Sequence, residues 1–155
     1  MKPPMGGNST VFLQAVVVLI GVAALVFLLW EPQLEGRNAR ATLFEIYFKD
    51  PFLAYAYLSS IPFFMGVARA FRVPGCFRRG QAFSPAALQD VRTISLCALV
   101  LIGLVALAEL FILLGESDDR AGGVFMGLLI TFGSVIVASS AAVFERILRD
   151  AGGRT

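Results

Sequence analysis

The chain has 155 residues, 57% hydrophobic and 15% charged, with a formal net charge of +2 and a mean hydropathy of +0.78. Ordinary soluble domains run about 45–50% apolar and about 25% charged, so this composition excludes a water-covered globule and leaves room for one domain, residues 1–155, with no soluble module beside it. There is no histidine, the commonest general base and metal ligand, and Cys76 and Cys97 are too few and too far apart for a zinc knuckle or a disulfide framework.

Four apolar runs follow in chain order. The first, 11–30, has Gln14 as its only strongly polar member. The second, 52–71, is interrupted by Pro62 and carries Arg69 near its end. The third, 94–114, contains Glu109, and the fourth, 124–144, is uncharged. About 20 helical residues cross a hydrocarbon core of about 30 Å, and in lipid a helix satisfies its own backbone amides. The expectation is therefore an all-α integral membrane four-helix bundle. The first run is longer than a signal-peptide core of about 7–15 residues and no A-x-A site follows it, so it is read as a retained helix.

The connections differ in character. Residues 31–51 mix acids and bases and contain Leu43-Phe44-Glu45-Ile46-Tyr47-Phe48, which reads as a short amphipathic piece lying at the interface. Residues 72–93 are basic, with Arg72, Arg78, Arg79 and Arg92, and residues 115–123 form a short acidic turn. Ser84-Pro85 reads as an N-cap followed by proline at the first helical position, so the third helix starts near residue 85 and projects beyond the membrane. Leu88, Val91 and Ile94 then face the bundle, and Gln89, Asp90 and Arg92 face water. Placing the N-terminus, the middle loop and the tail together puts nine of the 13 basic residues on one side, against Arg37, Arg40, Lys49 and Arg120 on the other. The positive-inside rule makes the nine-residue side cytoplasmic, with both termini there, and Trp30, Tyr55 and Tyr57 fit an aromatic belt at the outer face.

The stretch Ala82-Phe83-Ser84-Pro85-Ala86-Ala87-Leu88-Gln89-Asp90-Val91-Arg92-Thr93-Ile94, preceded by Gly80, resembles the Domain of Unknown Function 2975 family of small bacterial membrane proteins. The resemblance implies four helices, with a Phe-Ser motif opening a long third one, and supplies no activity. The family tends towards a Glu-rich ending after the fourth helix. Here Val143-Phe144-Glu145-Arg146-Ile147-Leu148-Arg149-Asp150 keeps Glu145 but is more basic.

Few residues offer more than packing. Glu109 lies about 7–8 Å below the outer end of its run, on a face with Ala106, Ile102, Ala98 and Ser95. A carboxyl at membrane depth faces the bundle or a cavity. Tyr57, Ser59 and Thr131 lie at similar depth, and Thr131 is its expected hydrogen-bond partner. The functional reading is a proton or cation site; the structural one is a carboxyl that ties helices together. Arg69 is expected to snorkel to headgroups, with Glu145 as an alternative partner. Arg69, Arg72, Arg78 and Arg79 are candidate contacts for lipid headgroups or an acidic partner, against the plainer reading that they set topology. Pro62 frees the Leu58 carbonyl and marks a kink, with Ser59 and Ser60 near the freed group. Gly127, Thr131, Ser134, Ala138 and Ala141 recur at spacings of four and three and form a small-residue stripe for helix packing, with Phe132, Ile136 and Phe144 turned towards lipid.

Nothing resembles a catalytic constellation. The expectation is a small non-enzymatic protein of a bacterial inner membrane, regulatory or stress-related. It acts by contact with lipid, a second copy or another membrane protein, without cofactor, metal or nucleic acid. The alternative is an oligomeric transporter or channel subunit that uses Glu109.

Overall fold

The computed structural model describes residues 7–34, 42, 44, 51–115 and 120–152. They form four long helices: α1 (Gly7–Leu34), α2 (Pro51–Arg78), α3 (Pro85–Leu114) and α4 (Arg120–Gly152). Three of them, α1, α3 and α4, are long and apolar enough to cross a membrane. The amphipathic piece expected at 43–48 lies outside the described residues apart from exposed Phe44, as does most of the acidic turn.

Each helix packs antiparallel on the next, in the order α1, α2, α3, α4. Between α1 and α2, Gln14 near the start of α1 donates to the Phe71 carbonyl (3.1 Å), and Tyr57 donates to the Leu28 carbonyl near the other end (3.4 Å). Between α2 and α3, Tyr55 donates to the Leu104 carbonyl (2.6 Å), and Arg69 meets Asp90 (2.9 Å) at the opposite end. α2 is thus flanked on two sides along its length. Tyr55, Tyr57 and Arg69 meet neighbouring helices, although α2 is the least apolar of the four. One end of the row carries the start of α1, the α2–α3 loop and the end of α4; this is the basic end.

A proline explains one of these bonds. Pro32 has no N–H for the Leu28 carbonyl four residues earlier, and the Tyr57 hydroxyl supplies a donor. Pro74 strands the Ala70 carbonyl, whereas Gln14 bonds the next one along, that of Phe71. Tyr55 and Tyr57 therefore serve inter-helix bonds and do not face outwards as a belt; Trp30 is exposed. At Pro62 the helix continues without interruption, and Ser60 donates to the Tyr57 carbonyl (2.7 Å), not to that of Leu58.

α2 continues two turns past the predicted end at Phe71, through Pro74 and Gly75 to Arg78. The basic connection therefore shrinks to residues 79–84. Gly80 takes φ +69°, a conformation glycine adopts without Cβ strain, and this turns the chain into α3. Ser84 caps α3: its side chain accepts from the Ala87 N–H at 3.2 Å, with Pro85 following. Ser84→Ala is expected to cost about 1 kcal/mol, whereas Ser84→Asp keeps most of it. Thermal unfolding in detergent checks this, and equal losses for both would show that the cap is idle.

The longer α2 also corrects two assignments. It brings Phe77 against Phe144 (ring centroids 5.5 Å apart), so Phe144 is half-buried and not turned to lipid. Phe77 and Val73 join Leu88, Val91, Ile94, Ala141 and Leu148 in an apolar cluster at the basic end. Asp90, expected in water, is buried. α3 packs on two partners, so its covered surface is wider than the stripe of one seam: Asp90, Cys97 and Leu104, seven residues apart, lie towards α2.

Candidate functional site

Polar side chains are placed at two points of this frame. The first lies in the α3–α4 seam towards the end opposite the basic one. On α3, Ser95, Ala98 and Val105 are buried, and Ile102 and Glu109 are partly covered, whereas Ala106 is exposed. At 3.6 residues per turn two successive steps of four drift off the face, and the alternation of four and three through Val105 stays on it. Ala106 therefore does not belong to the Glu109 face.

On α4, Gly127, Ser134, Ala138 and Ala141 are buried and Thr131 is half-buried, while Phe132 and Ile136 are exposed. Ser95 Oγ lies 3.4 Å from the Ala138 carbonyl, to which it donates. Glu109 lies directly against Gly127: a Cβ built on that glycine would stand 2.8 Å from Glu109 Cγ and 2.9 Å from Cδ. The missing side chain at 127 makes the slot that the carboxyl occupies. Glu109 Oε1 is buried without a hydrogen-bond partner, so Thr131 does not serve it. Tyr57 is engaged with α1, and the buried Ser59 hydroxyl has no hydrogen-bond partner. The structure thus joins Glu109 to Gly127 but does not gather Tyr57, Ser59, Thr131 and Glu109 into one polar site.

The second point is the basic end. Arg69 Nη1 donates to Asp90 Oδ1 (2.9 Å), and Arg72 Nε stands 3.7 Å from Asp90 Oδ2. The Asp90 side chain is 3% exposed, against 36% for Arg69 and 60% for Arg72. Arg69 is therefore held by α3, and Glu145, proposed as its alternative partner, pairs instead with Arg149 one turn along α4 (2.6 Å). Arg78 and Arg79 are exposed at the start of the α2–α3 loop. Asp90 was missed because its neighbours read as an amphipathic first turn. The available signal was its isolation: it is the only acid between Asp50 and Glu109, in a stretch with Arg69, Arg72, Arg78, Arg79 and Arg92.

Comparison with known proteins agrees with this architecture. The family model "Protein of unknown function (DUF2975)" matches residues 38–152, from the connection before α2 to the end of α4. A protein of Bacillus subtilis (strain 168) described as "Uncharacterized membrane protein YoaS" is 31% identical over 149 residues, covering 95% of this chain and 93% of that protein. No solved structure matches. A match across three helices and their connections, joined to a membrane relative aligned over nearly its full length, means that this chain is a membrane protein and belongs to the DUF2975 family.

Proposed function

We propose that the protein acts by contact and not by catalysis, and that its basic end presents Arg78 and Arg79 to an acidic segment of a partner protein. The observation behind this reading is the position of these arginines. Nine residues of continuous helix separate Arg78 from Arg69, which is about 13 Å along the axis. The headgroup layer on each side of the core is only about 5–7 Å deep. If Arg69 marks the edge of the hydrocarbon, Arg78 and Arg79 stand beyond the lipid, in water, on a short loop shaped by Gly80 and the Ser84 cap. A short loop shaped in this way leaves only the side chains to be ordered when a partner docks. The test is co-purification of the full chain from its native membrane. A partner retained by the wild type and lost with Arg78→Gln/Arg79→Gln supports the reading; identical sets of retained proteins remove it.

The arginine distribution also supports a cytoplasmic basic end under the positive-inside rule. Alkaline phosphatase fused after Asp119 is expected to be active, and fused after Arg79 or Arg149 to be silent. The reverse pattern would invert the orientation.

The buried, unpartnered Glu109 oxygen favours a second reading, an oligomeric transporter or channel subunit with Glu109 in its path. Proteoliposomes of the wild type would then show proton or cation flux that Glu109→Gln abolishes; equal flux from both rejects it.

A further inference from the structure

We infer that Arg69 and Arg72, organised by the buried carboxylate of Asp90, form a site for the phosphate of an anionic phospholipid. Asp90 is nearly inaccessible, and its Oδ2 makes no hydrogen bond. Arg69 gives it one nitrogen, and Arg72 at 3.7 Å is too distant for a hydrogen bond, so it is held by charge alone. Among the described residues no other acid pairs with either arginine. Two guanidiniums one helical turn apart therefore share one negative charge, which leaves a net positive pair with most of its N–H donors unengaged. A phosphate diester supplies the missing charge and the acceptor oxygens, and guanidinium geometry suits it.

Depth selects the lipid as the source of that phosphate. Arg69 lies near the end of the apolar run of α2, and Arg72, the first residue past it, is about 4–5 Å further along the axis, within the headgroup layer of about 5–7 Å. The four arginines grouped together from sequence thus divide into two tiers, one at phosphate depth and one in water. This inference is independent of the partner proposed for Arg78 and Arg79, because the two use different residues.

The experiment counts lipids retained by the full chain, using native mass spectrometry after equilibration in mixed phosphatidylglycerol and phosphatidylcholine. The wild type is expected to retain phosphatidylglycerol in preference. Arg72→Gln keeps the Arg69–Asp90 bond, and with it the fold, and should lower that preference about fivefold, the share of one arginine near a charged surface. Arg78→Gln/Arg79→Gln should leave it unchanged. Asp90→Asn decides between arrangement and mere charge: it adds positive charge but releases the pair, so retention should fall. Tighter retention by Asp90→Asn, no change with Arg72→Gln, or an equal loss in the loop variant would each overturn the site. Displacement of the lipid by inorganic phosphate would overturn the lipid assignment by showing that the pair takes a soluble anion. Should Asp90→Asn fail to fold, Arg72→Gln against the loop variant still decides.

Discussion

Arg69→Met is expected to destabilise the protein by about 3 kcal/mol or more, and Asp90→Asn by clearly less. Removing one member of a buried ion pair costs about 3–5 kcal/mol because the other is left uncompensated. The two members are not equally buried. Loss of Arg69 strands a carboxylate that is 3% exposed. Loss of the Asp90 charge strands a guanidinium that is 36% exposed on a stem long enough to reach water or headgroups. Arg72, already 3.7 Å away, takes up part of the first loss, which sets the estimate at the lower end. In the double variant Arg69→Met/Asp90→Asn the stranded charge is gone, so the cost should fall below that of Arg69→Met alone, with a coupling of about 0.5–3 kcal/mol. Denaturation in graded SDS or thermal unfolding in detergent measures all three. Equal costs for the two single variants would show that the burial of Asp90 does not set the energy.

Gly127→Leu is the other large effect, about 3 kcal/mol. Lipid supplies no hydrophobic drive between helices, so close packing carries the association of α3 and α4. The seam is closed at Gly127, where even a Cβ meets the Glu109 side chain at 2.8 Å. A leucine there forces either the helices apart or the carboxyl out of its slot towards lipid, and overpacking of this kind costs about 1–3 kcal/mol, sometimes more. Glu109→Ala in the same background empties the slot and should recover at least half of the loss. Gly133→Leu is the control: a Cβ at that glycine meets nothing within 4 Å, and the residue is exposed. A Gly133→Leu variant as unstable as Gly127→Leu would mean that helix propensity, not the seam, is being measured.

The helices were legible because long apolar runs with at most one charge have few alternatives, and Ser84-Pro85 marked the start of α3 through purely local chemistry. The end of α2 was not legible. Arg72, Pro74, Gly75 and Arg78 read as a loop when taken alone, but Gln14 of α1 and the cluster around Phe77 and Phe144 reward continued helix. From that one displacement follow the positions of Phe144, of the short loop and of the two arginine tiers. The depth of Glu109 could be counted along α3, but its neighbour could not. Which of Gly127 and Thr131 meets the carboxyl depends on the axial register between two helices, and spacing within one helix does not contain that quantity. Asp90 was hidden for a related reason: its face of α3 is defined by α2, a partner that the periodicity of α3 does not report.

The position of α2 between α1 and α3 bears on how the protein is made. During synthesis α1 emerges first and is apolar on every side, so it can partition into the bilayer unaided. α2 emerges with Tyr55, Tyr57, Ser59, Ser60 and three arginines, Arg69, Arg72 and Arg78, and as the least apolar of the four helices it has the weakest drive to enter. Tyr57 finds its partner on α1, and Tyr55 and Arg69 find theirs, later, on α3. Entry of α2 is therefore a cooperative event, begun as a hairpin with α1 and completed when Asp90 arrives to take Arg69. Chains halted after Gly80 should leave more of α2 outside the membrane than chains halted after Leu114, and insertion to the same extent in both would mean that α2 enters on its own account.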